Sequence, residues 1–379
     1  MLDLIQRMHK TPHKVAMAIT GGGAEVIGEL LRHGNGSATL LEAVVPYDQN
    51  SFHSYIKGVP DKYCSPEAAR DLAMAAFKRA MLLAPDQKID ELIGLGASCS
   101  LVKEGEREGR EHKVYISVQT DMATTTYEYK PNFKVREEEE KFVSDRILEI
   151  LGETMGLGPH PHTIQARPTC IQGRPKYLDI LTGKEQYIAF LSDQALIEAY
   201  PQNRVILAGS FNPMHIHHLQ MAEKASELTR MPVDFEVCVH NVDKPAMNFQ
   251  SLQERLDSMQ ASLKGKSFAG LILFSSTSTF VTKAEAFPNS KFVVGWDTFK
   301  RIADPKYYGG EEDLYKALSR LRQLNTQFLV FHRIIDGQSS ANDSINGIPT
   351  ELLAMSTICG EDILPATDLS STKIRNRNM

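Results

Sequence analysis

Cysteine is scarce in this chain, tryptophan nearly absent, and a long apolar run missing altogether. The five cysteines, Cys64, Cys99, Cys170, Cys238 and Cys359, are scattered, odd in number and form no CxxC pair. That usage argues against a disulfide framework and a zinc site. It suits reduced thiols, each expected as a small buried hydrophobe. No apolar stretch reaches the roughly 20 residues a membrane helix needs. The opening MLDLIQRMHKTPHK lacks the apolar core of a secretory signal and reads as a short amphipathic helix. An excess of one charge sign is missing too: 42 Lys and Arg stand against 47 Asp and Glu, for a net charge of −5. Nothing electrostatic therefore draws the chain to nucleic acid or to an anionic membrane. The expectation is a cytoplasmic protein with neither as a partner.

What is present is ordinary globular material, 42% apolar and 23% charged, in 379 residues, a length that favours two domains over one core. From 14 to 120, strands alternate with helices. KVAMAIT, TLLEAVVPY, DELIGLGAS and HKVYISVQT read as strands, the last strictly alternating. AEVIGELLRHG reads as a helix closed by Gly34. SPEAARDLAMAAFKRAML is a clearer helix, with Ser65 as cap, Pro66 in the first turn, and Glu67 and Asp71 complementing the dipole. Residues 134–151 form an amphipathic helix whose apolar face holds Phe142, Val143, Ile147, Ile150 and Leu151; its EEEE run reads as a solvated face. The first domain is therefore expected over 1–150.

Residues 151–200 change texture. Rich in Gly and Pro at first, they read as a linker carrying a short hairpin or helix. His160 and His162 flank Pro161 there, and without a Cys or carboxylate nearby they read as exposed loop histidines, not metal ligands. Residues 201–379 alternate again: RVILAGSF, DFEVCVHNV, GLILFSS, KFVVGWD and QFLVFHR are strands with helical patterns between, and a final helix starts near Ser370. The fold class is α/β, two domains, the second a doubly wound parallel sheet of Rossmann-like type with ligands at the carboxyl ends of its strands.

The chemistry concentrates in GSFNPMHIHH. Gly209 and Ser210 turn tightly after a buried strand, and Phe211, Asn212 and Pro213 lead into a helix. His215 and His218, three apart, face one side of its first turn. Two imidazoles beside a helix N-terminus suit phosphate, and they can donate to the charge that develops on a phosphoryl group during in-line attack. DLSSTKIRNRNM offers a second anion site: Ser370, Ser371 and Thr372 at a helix start, with Lys373, Arg375 and Arg377 behind them. Arg375 can grip phosphate bidentately.

These two motifs resemble those of the nucleotidylyltransferase superfamily, GSFNPxHxGH and ISSTxIR, and the wording GSFNP is most similar to the nicotinate/nicotinamide mononucleotide adenylyltransferase branch. The resemblance covers 204–379. It implies transfer of AMP from ATP to a mononucleotide or other phosphorylated acceptor, with Mg²⁺ as cofactor and pyrophosphate released. It implies that His215 and His218 contact the triphosphate, His218 stabilising the transition state. Gly209, Ser210, Phe211 and Asn212 would bind the nucleotide, and Ser370, Ser371, Thr372 and Arg375 the β,γ-phosphates. Lys244, from DKP, matches a basic residue beside the phosphates. Trp296 and Asp297, from VVGWD, match a GxD segment near the nucleotide, and TFVTKAEAFP resembles the segment lining the second substrate. Three positions depart. Leu369 replaces an isoleucine, Met214 stands at a varied position, and His217 stands where the motif has glycine. Either His217 rotates outward and ATP still binds, or the pocket is altered; a shifted register would make His217 the second histidine, on another helix face. Two other functions stay open: a nucleotide-binding regulatory protein without turnover, and cytidylyl transfer to a phosphorylated alcohol.

Residues 14–120 are similar to the CinA-type C-terminal domain, a nicotinamide-nucleotide amidase, through the segment AMAITGGGAEVIGELL and the strand end VVPY. Thr20, Gly21 and Gly22 keep its TGG. Ala18 stands at the nucleophile, Tyr47 at the tyrosine and Phe52 at the lysine. Neither Ala nor Phe can attack an amide or carry a proton, so the resemblance implies a domain without amidase activity, used for homo-oligomer formation or nucleotide sensing, though its Gly-rich turn could cradle a phosphate.

Overall fold

The computed structural model describes residues 1–107, 109–159, 168–197, 199–240, 245–332, 334–335, 338–339, 345 and 347–359. The chain divides into two compact units, one of Met1–Thr182 with Asn241–Leu252, the other of Gly183–His240 with Gln253–Met379.

The first unit is a six-stranded mixed sheet. Its strands are β1 (Lys14–Thr20), β2 (Leu40–Val44), β3 (Leu92–Ser100), β4 (Lys113–Gln119), β5 (Ala123–Tyr129) and β6 (Thr169–Gln172), in the order β2-β1-β3-β4-β5-β6. β1 runs parallel to β2 and β3, and the remaining pairs are antiparallel. Its helices are α1 (Leu2–Met8), α2 (Glu25–Arg32), α3 (Gln49–Ile56), α4 (Pro66–Leu83), α5 (Arg136–Thr154) and α6 (Tyr177–Thr182). The strand period of two divides β3 between two faces. Ile93, Leu95, Ala97 and Cys99 join the core with α1, α2 and α5. Gly94 and Gly96 face α4, where a Cβ on either would strike the helix backbone at Ala73 and Phe77 or at Ala69 and Ala73. The small faces of both elements thus let backbone lie on backbone. α4 begins as its sequence dictates: Ser65 Oγ accepts from the Ala68 N–H at 3.1 Å and Pro66 occupies the first turn.

The second unit holds an eight-stranded sheet of β7 (Tyr187–Phe190), β8 (Leu196–Ile197), β9 (Val205–Ala208), β10 (Val233–Cys238), β11 (Ala269–Ser275), β12 (Lys291–Gly295), β13 (Gln327–Phe331) and, beyond the short ladder of β14 (Ile334–Ile335) and β15 (Gln338–Ser339), β16 (Ser356–Cys359). The order is β16-β13-β12-β9-β10-β11-β7-β8. From β16 to β11 every pairing is parallel; β7 and β8 add antiparallel at the edge. Counted from β9, the parallel strands run 3-2-1-4-5-6, the doubly wound order, and the order reverses between β9 and β12. The crossovers carry α7 (Ile216–Thr229), α8 (Phe249–Leu263, which belongs to this unit from Gln253 on), α9 (Phe280–Ala286), α10 (Trp296–Ile302), α11 (Glu311–Gln323) and α12 (Thr350–Ala354). The stretch expected as a linker supplies β6 to the first sheet and β7 and β8 to the second. Among the described residues no helix is long and apolar enough to cross a membrane.

Candidate functional site

The switch point of the second sheet is where its two loops of interest emerge. β9 and β12 pair in register, Leu207 opposite Val293, so the chain leaves them side by side as Gly209-Ser210 and Gly295-Trp296. Ligands of doubly wound sheets bind in this crevice outside the strand ends.

The turn after β9 is held from three sides. The Gly209 N–H donates to the Glu236 carbonyl of β10 at 2.9 Å. Arg255, on α8, donates to the Ser210 carbonyl. Phe211 is fully buried, its ring edge-on to Phe235 at 5.7 Å and to His218 at 4.9 Å. Gly209 must be glycine for this packing, since a Cβ would lie 2.8 Å from the Phe211 ring. Phe211 itself sits at φ 43°, the left-handed region that side chains other than Asn and Asp enter at a cost, so its burial holds the loop in a conformation the local sequence would not choose. Its side chain is therefore core, and what it offers a ligand is backbone.

His215 is the N-cap of α7 and His218 the third helical residue. Their rings stack at 3.7 Å, inclined by 25°. The His215 backbone N–H donates to His218 Nδ1 at 3.2 Å. Because an amide N–H can only donate, Nδ1 must present its lone pair, and the neutral ring keeps its proton on Nε2. Both imidazoles thus stand at the positive end of a helix, one of them oriented as a donor. His217 is 7% exposed, its ring edge-on to His215 at 5.7 Å. Of the two alternatives, the outward ring is not what the structure has. Its ring is packed among protein atoms.

Across the switch point Trp296 is fully buried, stacked on His332 at 4.7 Å and packed against Phe299. Its indole belongs to the core of this unit, so here too only backbone reaches a ligand. Asp297 is exposed, 4.0 Å from the Lys300 ammonium. The structure thus brings Gly209, Ser210, Asn212, His215, His218 and Asp297 to one edge of the sheet. Lys244, Ser370, Ser371, Thr372 and Arg375 lie outside the described residues, as do His160, His162 and the expected helix near Ser370. Arg255 was not legible beforehand, because LQERLDSM is an unremarkable amphipathic helix until α8 meets the turn.

In the first unit, Ala18 and Phe52, the positions that match an amidase nucleophile and lysine, are buried together in one apolar cluster with Ile56, Ala68 and Leu72. Tyr47 is exposed. The Gly-rich turn after β1 already holds an anion: Glu140 Oε1 accepts from the Gly23 and Ala24 N–H groups, both at 2.8 Å. Gly21, at φ 80°, passes so close to the Cys99 carbonyl that no Cβ fits, and Arg136 donates to its oxygen at 2.8 Å. Glu139 is fully buried; it accepts from the Val102 N–H at 2.6 Å and pairs with His112 Nδ1 at 2.6 Å. His112 Nε2 meets Glu106 at 2.9 Å, and Arg110 donates to Glu106 at 2.7 Å. Burial alone would push the Glu106 carboxyl up, but hydrogen bonds from Arg110, His112 and the Lys103 N–H bring it down to about 2. The glutamate run is therefore a solvated face only at Glu137 and Glu138. Two of its members are internal ligands, and the turn read as a phosphate cradle is filled by the chain's own carboxylate.

Residues 206–377 match the family described as Cytidylyltransferase-like. A probable nicotinate-nucleotide adenylyltransferase of Nostoc sp. is 27% identical over 123 residues, which cover 29% of this chain and 56% of that protein. The match thus spans about half the length of this relative. Among solved structures, the competence/damage inducible protein CihA of Agrobacterium tumefaciens is similar with a TM-score of 0.31 at 12% identity, over 41% of this chain and 92% of its own. A competence or damage-inducible protein of Enterobacter asburiae gives 0.32 at 14%, over 40% and 97%. The region from β9 onward carries a cytidylyltransferase-like domain of the nucleotidyltransferase class.

Proposed function

We propose that the second unit transfers AMP from ATP to nicotinate or nicotinamide mononucleotide and releases pyrophosphate. The observation that carries this reading is the stacked pair His215 and His218 at the N-terminus of α7, beside the switch point, with the proton of neutral His218 on Nε2. In the proposed reaction an acceptor phosphate oxygen attacks the α-phosphorus, and the bond to the β-phosphate bridging oxygen breaks. The α7 backbone N–H groups hold phosphate oxygens. His218 Nε2–H donates to the non-bridging oxygens as charge gathers on them, and Lys244 and Arg375 complete the cradle. Ser370, Ser371 and Thr372 would receive the β,γ-phosphates.

Among the described residues no three His, Cys, Asp or Glu side chains group to hold a metal ion. A Mg²⁺ would arrive on the nucleotide, held largely by phosphate oxygens, with Asp297, two residues beyond the end of β12, as an acid that could meet it. Held in that way, the ion would supply charge neutralisation to the departing pyrophosphate. The first unit, with Ala18 and Phe52 in its core and Glu140 in its Gly-rich turn, is read as a non-catalytic domain through which the chain self-associates; light scattering on the purified protein tests that part.

The test of the main reading is pyrophosphate release from ATP and Mg²⁺ with each mononucleotide in turn, and His218→Ala as control. Release with one acceptor that is lost by about 10²–10³-fold in the control supports it, that being the usual effect of removing one transition-state donor. A second reading has an observation of its own. The buried His217 ring beside His215 fills volume where the motif has glycine, which favours a site that binds nucleotide without turning it over. ATP raising the melting temperature with no pyrophosphate from any acceptor selects that reading.

A further inference from the structure

The turn after β9 rests on a charged group that the proposed chemistry does not use. Arg255 donates to the Ser210 carbonyl. It stands on a fixed element: α8 is buried at Leu256 and Met259, and Gln194, in the β7–β8 turn, donates to its Asp257 Oδ1 at 2.8 Å. The residue after the gripped carbonyl, Phe211, is the one at φ 43°. The two facts are linked. A planar peptide can turn about its own axis and leave the flanking Cα atoms and side chains nearly in place. Half a revolution of the 210–211 plane would carry φ of Phe211 from 43° to about −137°, which is ordinary extended backbone. Burial of the Phe211 ring fixes the side chain and does not choose between the two planes. Arg255 does choose, because only the strained plane offers it the Ser210 oxygen.

A trans peptide aims its C=O and its N–H in opposite directions. Arg255 comes from the helix that joins β10 to β11, and the switch-point crevice opens on the other flank of β9, toward β12. We infer that Arg255 is a positioning residue: it holds the 210–211 peptide with its carbonyl turned to α8 and its N–H edge to the crevice, so that the turn meets a polyphosphate with a donor. Without Arg255 the plane relaxes, and a carbonyl oxygen faces the phosphates in place of the N–H. A backbone N–H attracts an anion, and a carbonyl oxygen repels it. This rests on the transferase reading above, and it assigns Arg255 to the nucleotide and not to the acceptor.

The experiment compares the full-length protein with Arg255→Met, which keeps the apolar stem and loses the donor, with Arg255→Lys, which keeps a cation, and with Arg255→Ala supplied with guanidinium ion. In Arg255→Met, kcat/KM for ATP should fall roughly 100-fold, the scale of loss that a misplacement of about 1 Å brings, with KM for the acceptor within about twofold. Its melting temperature should stay near that of wild type, because relief of the left-handed φ offsets the lost hydrogen bond. Arg255→Lys should recover part of the loss, and millimolar guanidinium should recover part of it in Arg255→Ala. Wild-type kinetics in Arg255→Met overturn the proposal. So does a loss that falls equally on the acceptor, or one that guanidinium leaves unrestored, because that is a structural role only. If the wild-type protein releases no pyrophosphate, the transferase reading fails by itself, and calorimetry with ATP decides Arg255. Binding about 100-fold weaker in Arg255→Met then sustains the role, and equal binding, or none to wild type, removes it.

Discussion

Replacing Glu140 by alanine should destabilise the first unit by about 2–4 kcal/mol. The figure follows from two contacts. Glu140 Oε1 accepts from the Gly23 and Ala24 N–H groups at 2.8 Å each, at the start of α2. Hydrogen bonds to a charged group contribute about 1.5–3 kcal/mol apiece, and an anion at a helix N-terminus adds about 0.3–1 kcal/mol. The carboxylate keeps 18% exposure, so water recovers part of what the variant loses, which brings the total below the simple sum. For a domain of 150–250 residues each kcal/mol moves the melting temperature by about 2–4 °C, so the shift should be roughly 5–15 °C by circular dichroism. Glu138→Ala, two residues away and exposed, is the control and should stay within about 0.5 kcal/mol. Glu140→Gln, which keeps an acceptor and loses the charge, should fall between them. Inorganic phosphate should then stabilise Glu140→Ala more than wild type, since it can occupy the vacated N–H groups. A Glu140→Ala melt indistinguishable from Glu138→Ala would falsify the idea that this carboxylate fills the turn.

Other substitutions test other steps of the reasoning. Gly96→Ala puts a Cβ into the Ala69 carbonyl and the Ala73 amide of α4; urea unfolding should show a loss of about 1–3 kcal/mol, and a neutral result would mean that α4 does not lie on β3 as described. His112 would be pushed down by burial, but its bonds to Glu139 and Glu106 outweigh that and hold it above its ordinary value. A raised folded value gives stability that is complete below about pH 6.5 and fades as pH climbs through the folded value, so wild type should lose its advantage over His112→Gln as pH rises, and parallel pH profiles would contradict the network. His217→Gly removes a buried ring and should lower the melting temperature without raising the rate of pyrophosphate release more than a fewfold; a large gain in rate would instead favour the reading in which His217 obstructs the nucleotide.

Where the sequence was legible, local chemistry and tertiary role coincide. SPEAARDLAMAAFKRAML carries its cap, its first-turn proline and its small apolar face within one helix, and α4 uses all three. The parallel order of the second sheet follows from alternating strands and helices, and its switch point falls on the two loops that motif reading had singled out. β5 escaped because one of its two buried faces is polar, while the other carries Tyr127 and Tyr129. Thr124 and Thr126 are buried, and they satisfy their hydroxyls on Gln119 and Ser117 of the neighbouring strand at 2.6 and 3.2 Å. A search for alternating apolar residues cannot find a strand whose inward face is threonine.

The glutamate run exposes the deeper limit. A block of like charges reads as solvated because isolated carboxylates are costly to bury. Here the compensation comes from a distance: the backbone donors for Glu140 lie 117 and 116 residues earlier in the chain, and His112 lies 27 residues before Glu139. No window of local sequence contains both the charge and its partner. The same separation governs the second unit, where Glu236 and Lys283 stand 47 residues apart and meet only because β10, β11 and α9 are assembled. Histidines three apart on one helix turn declare themselves, since their spacing is their geometry. Buried charges whose partners lie far along the chain do not, and in both units they are carried on elements whose sequence reads as an ordinary helix or strand.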